Sequence, residues 1–259
     1  MSNYLSLNAI MVCRLCQQDL ELRNSHIIPE LLWSSIYNKK HQALPMSIGN
    51  NKLKIIQKGI REKLLCQGCE TKLSRWENSL KRHLVDLGDL ASDFLEIDRM
   101  NADLIRVKNI EYRIFKLAIL SIFWRMSVST NHVYSDYQLG PYEEIIRDIL
   151  FTEAHVPEKH FPVLIYRYEL DGMFYPDIMM HFPCRKLDQT YTIQQVIFYG
   201  HLFCIIINNK KLPVDIQKEI ILSETGEIFI SVRSLVELAS PVSVFTRLLD
   251  DDVKRFYGK

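Results

Sequence analysis

"CRLCQQDLELRNSHIIPE", residues 13–30, sets two cysteines two residues apart ahead of a histidine that is followed by Ile-Ile-Pro. "LLCQGCETKLSRWEN", residues 64–78, carries a second pair at the same spacing. Two residues between thiolates let one tight turn present both sulfurs to a single ion, and two such turns complete a tetrahedral site. Cys13, Cys16, Cys66 and Cys69 therefore predict a closed, structural four-thiolate centre. Zn²⁺ is the default metal for it, with a redox Cys-x-x-Cys or an iron–sulfur cluster as the alternatives. Such an ion would pin residues 13 to 69 together in a region too small and polar to fold well by its own core.

The chain has 259 residues and 47% hydrophobic content, so a real core can be buried in one large or two small domains. Its formal charge of +1 hides an asymmetry: residues 1–82 carry 13 Lys and Arg against 6 Asp and Glu, and the remainder 19 against 25. The basic first third points to a polyanionic partner, although four thiolates on one Zn²⁺ would take two units off its excess. A well-solvated surface is the plainer reading. The opening "MSNYLSLNAIMV" has no basic start, long apolar run or small-residue cleavage site, and the longest apolar stretches are too short or interrupted to span a bilayer. We therefore expect a cytoplasmic protein with no membrane partner, whose cysteines are metal ligands or buried thiols. Cys184 and Cys204 read as buried hydrophobes.

The patterning is of the α+β class. Residues 73 to about 100 read as a helix on the spacing of Leu73, Trp76, Leu80, Leu84 and Leu87. "EYRIFKLAILSIFWRMSVS", 111–129, has an apolar face too wide for a surface helix and reads as the central core helix. "GPYEEIIRDILF", 140–151, starts with Pro and acids, as a helix N-terminus does. Beyond residue 160, β-branched and aromatic runs broken by Gly, Asp, Asn and Pro predict a small antiparallel sheet, and "PVSVFTRLLDDDVKRFYG" a last helix. The expected division is 1–82 for the cysteine-bearing unit and 83–259 for a helical and β partner or substrate domain. Trp76 and Trp124 read as core residues rather than base-stacking platforms.

With His26 between the pairs, and Glu70 and Lys72 directly after the second, residues 10 to 82 resemble the zinc-containing HNH endonucleases of the ββα-metal fold. The chain also resembles uncharacterised bacterial proteins with a "SHIIP … LLCxxCE … WE" layout. The resemblance implies an N-terminal ββα-metal unit in which the four cysteines hold structural zinc and His26 is the general base that activates water. It further implies that Glu70, where the family usually has His or Asn, supplies a ligand to a catalytic Mg²⁺ or Mn²⁺. A carboxylate suits either ion. Ser25 stands where an acid or another ligand is common, and Asn50, Asn51 and Gln57 are the candidates for the residue that orients the base. The distance from His26 to Cys66 implies an insertion around 30 to 55.

Phosphodiester hydrolysis needs an activated water, a cation at the phosphate and positive charge holding the strand. Lys58, Arg61, Lys72 and Arg75 are the expected nucleic-acid contacts. The plainer reading is that His26 only bonds a carbonyl beside a turn and that Glu70 is a favourable charge near a helix N-terminus. The expected function is thus a metal-dependent HNH-like endonuclease acting on DNA, with RNA left open, serving restriction or antiphage defence by analogy. A defence ATPase or a second copy of the chain are the expected protein partners. The alternative is a zinc-knuckle module that binds nucleic acid or joins an assembly without cleaving.

Overall fold

The computed structural model describes residues 12–43, 56–57, 59–182, 185–187, 191–207 and 221–239. Along the chain these form β1 (Leu22–His26), α1 (Glu30–Trp33), β2 (Gln42–Ala43), β3 (Ile56–Gln57), β4 (Arg61–Cys66), α2 (Gln67–Asp89), β5 (Glu96–Asn101), β6 (Leu104–Lys108), α3 (Tyr112–Val128), α4 (Tyr142–Thr152), β7 (Val163–Leu170), β8 (Met173–Phe174), β9 (Met180–His181), β10 (Arg185–Leu187), β11 (Tyr191–Phe198), β12 (His201–Ile207) and β13 (Ile228–Ser234). The class is mixed α+β, with four α-helices among the described residues.

β1 and β4 pair antiparallel, with His26 opposite Arg61 and Ser25 opposite Glu62. β4 runs straight into α2, whose N-cap is Cys66. One face of α2 carries Cys69, Leu73, Trp76, Leu80, Leu84 and Leu87, all buried at three- and four-residue intervals. This stripe packs α2 against α3, of whose 17 residues 14 are buried. A helix so apolar all round has to sit inside the molecule.

α2 is not the helix to about residue 100 that the spacing predicts. It ends at Asp89, with Leu90 in the left-handed region at φ 51. The orphan carbonyls of its last turn are met from another element: Arg167 Nη1 donates to Leu87 O at 2.6 Å and Gly88 O at 3.1 Å. The chain then turns into the β5–β6 hairpin. The boundary expected at 82/83 falls inside α2, and a single buried cluster takes in Leu15, Ile27 and Trp76 together with Phe115, Phe203 and Ile230. The cysteine-bearing unit and the rest share one core.

The sheet has nine strands, ordered β10-β11-β12-β7-β13-β6-β5, with β8 on β7 and β9 on β11. It is larger than the small antiparallel sheet expected, and it is mixed: β13 runs parallel to β7 and antiparallel to β6. A two-residue turn at Tyr199 and Gly200 joins β11 to β12, both residues at positive φ as such hairpins require. A Cβ on Gly200 would stand 2.4 Å from Tyr175 O. Trp76 and Trp124 are 1% exposed, which places both in the core. The helix expected over 241–258 and Cys184 lie outside the described residues. Cys204 is buried, and its Sγ accepts from Gln195 Nε2 at 3.3 Å. Among the described residues no helix is long and apolar enough to cross a membrane.

Candidate metal centre and adjoining cleft

Cys13 and Cys16 sit on the tight turn before β1, which Gln17 closes at φ 58 and the Cys13 N–H bond to Gln18 O holds at 2.9 Å. Cys66 ends β4 and Cys69 lies in the first turn of α2. The strand pairing brings the two turns together, and the four Sγ atoms all lie within 4.8 Å of one another. Cys66 N–H donates to Cys13 Sγ at 3.3 Å. Four thiols this close cannot all ionise without a cation. The hydrogen bond from the Cys69 thiol, with burial acting against it, holds the Cys13 thiol down to about 4, and the same bond drives Cys69 far above the ordinary thiol range. The cluster could hold a metal such as zinc, which would replace this contest over protons by four metal–sulfur bonds. No other group of three or more His, Cys, Asp or Glu ligand atoms lies this close together among the described residues.

Beside this centre a cleft of about 580 Å³ opens between α1 and one face of α2. His26 and Glu30 line one wall, and Glu70, Ser74, Glu77, Asn78 and Lys81 the other. His26 Nε2 lies 2.6 Å from Glu30 Oε2 and accepts from Arg61 Nε at 2.8 Å. One ring nitrogen cannot donate to a carboxylate and accept from a guanidinium at once, so only one of these contacts is a hydrogen bond in any protonation state. Glu30 Oε2 accordingly has the ion-pair distance but no aligned hydrogen bond. Its Oε1 accepts from the Tyr37 hydroxyl at 3.1 Å. Glu70 Oε1 is buried at the cleft with no hydrogen-bond partner, an oxygen suited to a hard cation.

The floor of the cleft is supplied from far along the chain. Arg125 of α3, 1% exposed, donates from Nη1 to the main-chain carbonyl of His26 at 3.0 Å and sets Nη2 2.7 Å from Glu77 Oε1. The Nη2 contact is an ion pair by distance and lacks hydrogen-bond alignment.

The other expected site residues are distributed as follows. Ser25 is buried, and its hydroxyl accepts from Leu65 N–H at 3.1 Å, so it ties β1 to β4 and does not line the cleft. Arg61 is at His26. Lys72 and Arg75 are engaged elsewhere: Lys72 Nζ donates to Phe151 O at 2.5 Å at the end of α4, and both lie near Glu153 Oε1, at 3.5 and 3.2 Å. Gln57 is placed only by its backbone in β3. Lys58, Asn50 and Asn51 lie outside the described residues.

Glu30, Tyr37, Glu77 and Arg125 are cleft residues that sequence reasoning missed. The four-residue offset of Glu30 from His26 was a signal only for a reader who knew that the chain bends at Pro29, since the two do not share a helix. Nothing in the sequence marks Arg125. Comparison with protein-family models, curated proteins and solved structures finds no match to this chain.

Proposed function

We propose that this chain is a metal-dependent, HNH-type endonuclease that hydrolyses DNA phosphodiester bonds, its N-terminal part being a ββα-metal unit pinned by zinc on the four cysteines. One observation carries the reading: His26 and Glu70 line a single cleft directly beside a four-cysteine cluster. The run of β1, β4 and α2, with one cysteine pair before β1 and the other across the β4–α2 junction, supports it.

In this reading His26 takes a proton from the attacking water, the new P–O bond forms, and the bond to the leaving oxygen breaks, with that oxygen protonated from solvent. Glu70 Oε1 fits the role of ligand to Mg²⁺ or Mn²⁺, an ion that supplies positive charge to the phosphate and leaving oxygens when bound. Arg61 and Lys81 present cations to the strand at the cleft. By analogy with small zinc-containing nucleases, the proposal extends to restriction or antiphage defence.

A DNA-binding module without cleavage is the second reading, favoured by the engagement of His26 Nε2 with Glu30 and Arg61. A plasmid-nicking assay with Mg²⁺, Mn²⁺ or EDTA separates the two. Cleavage that needs the ion and disappears in His26→Ala and Glu70→Ala, with zinc and fold retained, supports the nuclease. Salt-sensitive DNA binding with no cleavage by the wild type under any ion selects the module.

A further inference from the structure

The geometry points to Glu30 as the positioning residue of His26: its carboxylate fixes the imidazole and stabilises the imidazolium formed when His26 takes a proton. The role rests on the nuclease reading, and it fills the part for which sequence offered Asn50, Asn51 or Gln57.

Three features argue for it. The Glu30 carboxylate and Nε2 of the His26 ring meet at 2.6 Å, an ion pair when the ring is protonated. The carboxylate is itself held, because Tyr37 donates to its other oxygen at 3.1 Å. Finally, α1, which carries Glu30, is fixed to the turn after His26: Pro29 at its N-cap bends the chain at ψ 138, and Trp33 Nε1 donates to Ile28 O at 3.1 Å. Trp33 in turn packs on Gly59, where φ is +61 and a Cβ would stand 2.8 Å from the indole nitrogen. Glu30 thus meets His26 from a clamped turn.

Arg61 acts in the opposite sense. Its guanidinium shares Nε2 of His26 with Glu30, and its Nη2 lies 3.9 Å from Glu30 Oε2. As a cation it disfavours the imidazolium, while the Glu30 anion favours it. A phosphate that draws Arg61 away leaves Nε2 to Glu30, so substrate binding itself would make His26 a stronger base. The other charged or titratable groups at this cleft are Glu70, Glu77 and Lys81 on α2, Arg125 on α3, and His41 and Tyr37 beyond α1. Of these, Arg125 donates to the main-chain carbonyl of His26 and is paired with Glu77.

The test is an NMR titration of the His26 imidazole in the full, zinc-loaded protein without DNA, in wild type, Glu30→Gln, Glu30→Asp and Arg61→Gln, with nicking kinetics alongside. Glu30→Gln is expected to lower the His26 titration midpoint by about one pH unit, Glu30→Asp to restore part of it, and Arg61→Gln to raise it. In the nicking assay Glu30→Gln should lower kcat by about tenfold or more with KM retained. An unchanged His26 midpoint in a folded Glu30→Gln protein overturns the inference, as does a full kcat in that variant. Wild-type protein that cuts no DNA overturns the nuclease reading, and is distinguished because the titration is read without substrate.

Discussion

Arg125 donates to the main-chain carbonyl of His26 across 99 positions of sequence, at 3.0 Å, from within a helix whose buried residues are mostly apolar. The contact joins the core helix α3 to the turn that presents the histidine, and the Glu77 carboxylate compensates the buried charge at 2.7 Å. Removing the guanidinium strands that carboxylate, whose side chain is 12% exposed. Arg125→Met is therefore expected to cost about 3 kcal/mol, the scale for breaking a buried pair from one side. Glu77→Gln should cost less, and the double variant less than the sum. Urea unfolding of the three variants measures the coupling; additivity would mean that the two side chains are energetically independent.

The four-cysteine cluster predicts one tightly held metal per chain. Elemental analysis of protein purified without added metal should find it as zinc, and Cys66→Ser should abolish it. Because β1, β4 and the start of α2 are all tied to the cluster, metal loss is expected to lower the melting temperature and expose Trp33 and Trp76 to solvent. A metal-free protein with unchanged melting and tryptophan emission would deny the cluster a structural role.

Acid stability is set in part by buried histidines. His201 is wholly buried; burial, with Arg167 beside it, pushes it down to about 3, and burial lowers His83 as well. Both folded-state values lie below the unfolded value near 6.5. Below about pH 6.5 the unfolded chain therefore takes up protons that the folded chain refuses, and stability falls as pH drops toward 3. For His201 the slope is about 1.4 kcal/mol per pH unit. His201→Leu should flatten the loss between about pH 6 and 4 by that amount, measured by urea unfolding across pH; an unchanged slope would show that His201 takes up protons in the fold.

On the proposed function, the salt dependence of binding to DNA should divide the basic residues at the cleft from those occupied elsewhere. Arg61→Ala and Lys81→Ala are each expected to reduce the slope of log K against log salt by about 1. Lys72→Ala should leave it unchanged, since Lys72 caps the last turn of α4 at Phe151 O. Fluorescence anisotropy on a short duplex reads the slopes, and a reduced slope for Lys72→Ala would restore it to the nucleic-acid surface.

What the sequence discloses follows the range of the interactions. Cysteine spacing is local chemistry, and both pairs meet as their spacing predicts. Helices α3 and α4 are legible because long apolar or amphipathic periods leave few alternatives. The start of β5 is misread as helix because the spacing from Leu73 to Leu87 gives no sign that the chain turns left-handed at Leu90. Arg125 at His26 and Arg167 at the end of α2 are invisible for a different reason: beside a carboxylate partner, each buried cation binds main-chain carbonyls supplied by distant segments, and no residue type announces those.

β13 occupies an inner position in the sheet although it follows every other described strand in the chain. Until residues 228–234 arrive, β6 and β7 each keep an unpaired edge, and the two parts of the sheet have no strand between them. Pairings this distant in sequence form slowly and late. During synthesis, then, both cysteine pairs and His26 leave the ribosome long before the sheet that backs α2 and α3 can close. The cleft would be aligned in one late event, and a nascent chain would carry the residues of the proposed site while lacking the frame that aligns them.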